Sequence, residues 1–124
     1  MSSGFRVDAE FSDPTVAGAV LGRVVGILGS RVALPIDKLS DALLVSDAVV
    51  AAAGSARQHV SIEAQLEPKR LALSVGPLAA GEAERLVGAI EAPMGKGALA
   101  QLVDELRTTS EDGREFLVLG LSPA

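Results

Sequence analysis

Apolar and polar residues alternate from Phe5 to Phe11: Phe5, Val7, Ala9 and Phe11 stand against Arg6, Asp8 and Glu10, the period of a half-buried strand. A helical spacing follows, with Val16, Val20, Val24, Ile27 and Leu28 in phase, Ser12 or Asp13 placed to cap and Pro14 at the first turn. The spacing predicts a helix from Pro14 to Leu28. A second helix is expected after Pro35, with Asp37 near its start and Gly54 at its end, apolar nearly all round from Ala42 onward and therefore central. Val60, Ile62, Ala64 and Leu66 alternate, "EPKR" turns, and Leu71, Leu73 and Val75 alternate back to Pro77, which is a hairpin.

Two shorter helices are expected next, one with Ala83, Leu86, Val87 and Ile90 on a face, the other with Leu99, Leu102, Val103 and Leu106. The last, "GKGALAQLVDELRTTS", precedes a turn at Ser110 and a closing strand, "REFLVLGLS", whose unbroken apolar run suits a central position. The order is β-α-α-β-β-α-α-β: an α+β two-layer sandwich with a mixed, mostly antiparallel sheet and helices on one face. The helical layer is expected to meet the sheet through Val20, Val24, Leu43 and Val50. Residues 1–124 are read as a single domain.

Composition narrows the chemistry. The chain has no cysteine and one histidine, His59, so thiolate or histidine-rich metal centres are excluded and no metal site is expected. A net charge of −5, with three Phe and neither Trp nor Tyr, lacks the basic surface and stacking rings that nucleic acids require. Arg23 and Asp47 interrupt the two most apolar stretches, so no membrane span is expected; "MSSGFRVDAEF" lacks a charged-then-apolar signal pattern, and the lack of cysteine fits a reducing, cytoplasmic setting. Glu82, Glu84 and Arg85, and Asp104, Glu105 and Arg107, read as solvated helix faces.

Several strings resemble the Bergerat, histidine-kinase-like ATP-binding fold, and within it the short serine-kinase anti-sigma factors. "GRVVGIL" is similar to that family's first helix, "SDAVVA" to its second-helix motif, "MGKGAL" to its glycine loop and "SEDGREFLVLGLS" to its ending. The resemblance implies that an acid on the second helix activates the attacking group and an Asn holds magnesium. Here those positions carry Asp47 and Ala51, or Ala48 and Ala52 if the register slides by one. It also implies an Asp after the hairpin to bind adenine, where this chain has Gly76 followed by Pro77. Losing the adenine anchor and the metal bridge costs on the order of 3–6 kcal/mol, enough to take micromolar ATP affinity to millimolar.

Asp47 is therefore expected to be a relic of a catalytic position, with Arg57 a possible neighbour, while Gly95, Lys96 and Gly97 keep the form of a phosphate loop. Gly18, Gly22 and Gly26 share a stripe on the first helix that the apolar face Val16, Val20, Val24 and Ile27 leaves pointing away from the core. With Arg23, which the resemblance places at a partner contact, this stripe is expected to form a homodimer or partner interface. The expected function is a non-catalytic anti-sigma-like regulator, bound to a sigma factor or an anti-anti-sigma factor and needing no cofactor. Two alternatives stand beside it: an active serine kinase using ATP and magnesium, and a dimeric structural or small-molecule-binding module.

Overall fold

The computed structural model describes residues 3–8, 14–54 and 61–123, with side chains over 19–53 and 61–123. Arg57, His59 and the side chain of Val16 lie outside the described residues. The elements run β1 (Ser3–Asp8), α1 (Pro14–Arg31), α2 (Ile36–Gly54), β2 (Ser61–Glu67), β3 (Arg70–Leu78), α3 (Glu82–Glu91), α4 (Ala98–Leu102), β4 (Glu105–Glu111) and β5 (Arg114–Leu121). Among the described residues the strands form one open sheet in the order β1-β2-β3-β5-β4, every neighbouring pair antiparallel. The fold is α+β.

The final helix departs from expectation. Only Ala98–Leu102 is helical, and Glu105–Glu111 is a strand paired with β5. Asp112 and Gly113 both take positive φ, 53° and 76°, so "DG" closes a two-residue hairpin whose turn matches strand twist. Thr108 and Thr109 also favour the extended form, and Leu106 packs against the core from a strand as well as it would from a helix. Asp104, Glu105 and Arg107 therefore sit at and along a sheet edge, not on a helix.

The sheet buries Ile62 and Ala64 of β2, Leu71, Leu73 and Val75 of β3, and Leu117, Leu119 and Leu121 of β5 under the helices. Its other face is mostly polar, with Ala72, Phe116 and Val118 set among charged and hydroxyl residues. Arg70 pairs with Glu67 beside it and reaches over Gly120 to Glu105 on β4, at 2.8 Å, and Arg107 meets the same carboxylate at 2.9 Å. A Cβ on Gly120 would stand 3.2 Å from the Arg70 guanidinium, so the glycine keeps the crossing open.

The contact of the helical layer also differs from expectation. The α1 core line is Leu21, Val25 and Leu28, with Val24 half-buried, whereas Val20 is 48% exposed. On α2, Ala42, Val45, Val49, Val50 and Ala53 are buried, but Leu43 lies at the layer's outer border. Ser46 is fully buried with its hydroxyl donating to the Leu43 carbonyl at 2.9 Å, while Leu44 faces out. Turning the core line to Leu21 rotates the glycine stripe toward α2. Gly22 stands beside Leu43, and Gly29 is the tight position, where a Cβ would be 2.8 Å from Leu39 Cδ1 and 3.2 Å from Leu34 Cδ1. Nothing lies within 4 Å of a Cβ at Gly26.

One polar clamp ties this layer to the sheet. Lys38 donates to both Asp104 oxygens at 2.9 Å and to the Ser122 carbonyl at 2.6 Å, and the Ser122 amide donates to Asp104 at 2.8 Å. Partial burial alone would raise the Asp104 pKa, but the Lys38 ammonium and the Ser122 N–H outweigh it and hold the carboxyl below its usual range. Glu105 is also held low, first by Arg70 and then by Arg107.

Two expectations follow from this packing. Gly29→Val should lower stability by about 2 kcal/mol through overpacking, whereas Gly26→Ala should raise it by about 0.5–1 kcal/mol through helix propensity. Urea unfolding of both variants checks the contrast, and equal effects would contradict the geometry. A carboxylate with a lowered native pKa stabilises above its unfolded value near 4, and that contribution is lost as pH falls through the native value. Asp104→Asn should therefore cost about 1 kcal/mol at neutral pH, discounted for exposure. The difference from the parent should shrink as pH falls below about 4; a difference independent of pH would rule out this assignment.

Candidate functional site

A nucleotide-using site of the expected kind needs its acid and its metal ligand four residues apart on one helix face, turned into a pocket. Asp47 and Ala51 do share a face of α2, but both are exposed, on the side opposite the core line. The alternative pair, Ala48 and Ala52, turns inward to half-buried and buried positions and brings only methyl groups. Asp47 makes no ion pair with another described residue.

At the adenine-anchor position, Gly76 is buried on β3, opposite Ser61. A Cβ there would be 2.9 Å from Phe116 Cε1 and 3.0 Å from the Glu115 carbonyl, so no carboxylate-bearing side chain fits unless the ring moves. Gly95 and Gly97 take positive φ, 108° and 83°, in the turn between α3 and α4, with Lys96 exposed between them. The amide an anion would seek is already met: Leu99 N–H donates to Glu91 Oε2 at 3.0 Å. Glu115 does the same at α3, accepting from the Gly81 and Ala83 amides at 3.1 Å. Both helix starts are thus capped by carboxylates of this chain.

Two open grooves among the described residues lie elsewhere. One of about 410 Å³ is lined by Pro77, Glu111, Asp112, Arg114 and Phe116, and its neighbour of about 340 Å³ shares Pro77 and Arg114. Neither includes Asp47 or the Gly95–Gly97 turn. Among the described residues no cluster of His, Cys, Asp or Glu is placed to hold a metal, and no helix is long and apolar enough to cross a membrane.

What the first two helices leave exposed is in good part apolar. The large hydrophobic side chains left exposed among the described residues are Val20 (48%), Ile27 (56%), Ile36 (80%), Leu43 (36%) and Leu44 (49%), all on α1 and α2. Arg23, Ser40, Asp47 and Ala51 are exposed on the same two helices, and Gly26 leaves a notch among them. At about 100° per residue, Val20 and Ile27 lie more than a quarter turn from the α1 core line, and Leu44 lies nearly opposite Ala42. Periodicity does not find this set, because α2 is apolar nearly all round from Ala42 and reads as buried, and Val20 and Ile27 fit the core-facing spacing of α1. The signal available was Ser40, Asp47 and Ala51, which share the helix side of Leu44 at spacings of four, three and seven.

No protein-family model matches the chain, and no curated protein does.

Proposed function

We propose that this chain is a non-catalytic regulatory domain of the anti-sigma-like, Bergerat type, and that it binds a protein partner through the outer face of α1 and α2. The observation that carries the reading is that the large hydrophobics left exposed among the described residues all belong to those two helices. Monomeric surfaces seldom gather such residues unless something docks on them. Its polar members, Arg23, Ser40 and Asp47, supply the interspersed charge and hydrogen bonding of a protein interface. On this reading Asp47 is a recognition residue, and the glycines of α1 act by shaping the face, Gly26 as an open notch and Gly22 beside Leu43.

The partner class that the resemblance implies is a sigma factor or an anti-anti-sigma factor. Support for non-catalysis comes from placement: Asp47 faces outward, Gly76 has no room for an adenine-binding acid, and Glu91 occupies the amide of the glycine turn.

Calorimetric titration with magnesium-ATP should give no saturable heat below about 1 mM. Affinity capture from the host should recover a transcription regulator with the parent chain and lose it with Leu44→Arg, whose half-exposed position leaves folding intact. Low-micromolar ATP binding with phosphate transfer would replace this reading with the kinase alternative.

A further inference from the structure

We propose that the groove at the β4–β5 hairpin end of the sheet binds a free α-amino acid with an aromatic side chain. The groove opens on the sheet face turned away from the helices, so it is independent of the docking side of α1 and α2.

Strand alternation places the site. Leu117, Leu119 and Leu121 of β5 are buried under the helices, so Arg114 and Phe116 turn to the opposite face. The hairpin turn at Asp112 and Gly113 sets Glu111 directly across from Arg114. Phe116 is seated over Gly76 of β3, where a Cβ would stand 2.9 Å from its Cε1, so the glycine lets the ring rest on the β3 main chain. The ring and Pro77 are the apolar lining of an open groove of about 410 Å³, and Glu111, Asp112 and Arg114 are its charged lining. A second groove of about 340 Å³ adjoins it at Pro77 and Arg114 and adds Leu78 and Ala79. Volumes of this order are those of small-molecule sites.

Charge selects the occupant. Arg114 lines both grooves, is exposed, and makes no ion pair with another described residue, although Glu111 stands across the strand pair. Its neighbour Glu115 does not neutralise it, because that carboxylate accepts from the Gly81 and Ala83 amides. Glu111 and Asp112 likewise make no ion pair with other described residues. Residues opposed across a hydrogen-bonded antiparallel pair stand about 5.5 Å apart at Cα. One groove therefore offers a cation and carboxylates within the short span over which an α-amino acid carries its two charges.

Each part of the ligand then has a counterpart. The Arg114 guanidinium donates two parallel N–H bonds to the carboxylate, and Glu111 and Asp112 accept from the ammonium. The aromatic side chain lies against Phe116 and Pro77, where a ring–ring contact adds to the apolar area covered. Other ligand classes leave a mismatch. A phosphate or dicarboxylate is repelled by Glu111 and Asp112, a simple amine by Arg114, and an uncharged apolar molecule leaves all three charges without partners.

Titration of the full chain with L-phenylalanine, followed by NMR of the backbone amides, tests this. Saturable shifts are expected at Gly76, Asp112, Arg114 and Phe116, with a Kd below about 1 mM. Arg114→Gln and Glu111→Gln should each weaken binding at least about tenfold with an unchanged melting temperature, as loss of one charged hydrogen-bonding partner implies. N-acetylphenylalanine, which lacks the ammonium, and 2-phenylethylamine, which lacks the carboxylate, should each bind at least about tenfold more weakly than phenylalanine. No saturable shift up to about 20 mM, binding indifferent to Arg114→Gln, or N-acetylphenylalanine bound as tightly as phenylalanine would each overturn the proposal. Leu44→Arg, which removes the partner from the helical side, should leave the phenylalanine titration unchanged, so the two proposals fail separately.

Discussion

The close passage of α1 against α2 is the constraint on which the rest of the molecule depends. Gly29 lets Leu34 and Leu39 close over the end of α1, and Gly22 admits Leu43 farther along. With that spacing both helices lie on one face of the sheet, and Leu21, Val25 and Leu28 share a single core with Val45, Val49 and the inward strand residues. Among the described residues the buried core is Ala, Val, Leu and Ile with no aromatic ring to bridge a gap, so its layers must approach closely. The same approach fixes what is left over. Once the inner faces are committed, Val20, Ile27, Leu43 and Leu44 have nowhere to go but outward.

Carboxylates do much of the remaining structural work, and this bears on function. Glu115 caps α3, Glu91 caps α4, Asp104 binds Lys38 and the Ser122 amide, and Glu105 joins two arginines across β5. Groups that would read as acid-base chemistry in a list are spent on helix starts and strand ends. Asp47 and Arg23 make no such contact with other described residues, and both are exposed on the two long helices. A regulator that works by docking needs charges free of the fold in just such a place, because a charge already paired inside the chain contributes little to recognition of a partner.

Much of the fold was legible in the sequence, and the failures have physical causes. The strands at Ser61–Glu67 and Arg70–Leu78 and the helix at Glu82–Glu91 follow from simple periodicity. The strand at Glu105–Glu111 was hidden because Leu99, Leu102, Val103 and Leu106 fit a helical spacing, and the decisive signal was the turn at Asp112 and Gly113. For α1 and α2 the elements were legible but their rotation was not. A helix rich in Ala, Val and Leu has nearly equal apolarity on several sides, so periodicity cannot choose between Val20 and Leu21 as the buried position. That choice is made by the glycines, through which side can approach α2. The candidate site suffered from the same ambiguity, since Asp47 in a helix assumed to be buried looks like a pocket residue, and on the outer face it looks like a contact residue.

The central claim is the proposal that the outer side of α1 and α2 is where this protein meets its partner. Affinity capture from the host with paired surface variants, each checked for an unchanged melting temperature, tests it most directly. The account predicts that Leu44→Arg and Arg23→Glu lose the captured partner, whereas Glu63→Arg and Ser74→Arg on the opposite sheet face keep it. Capture unaffected by both helix variants, or lost only through the sheet-face variants, would contradict it.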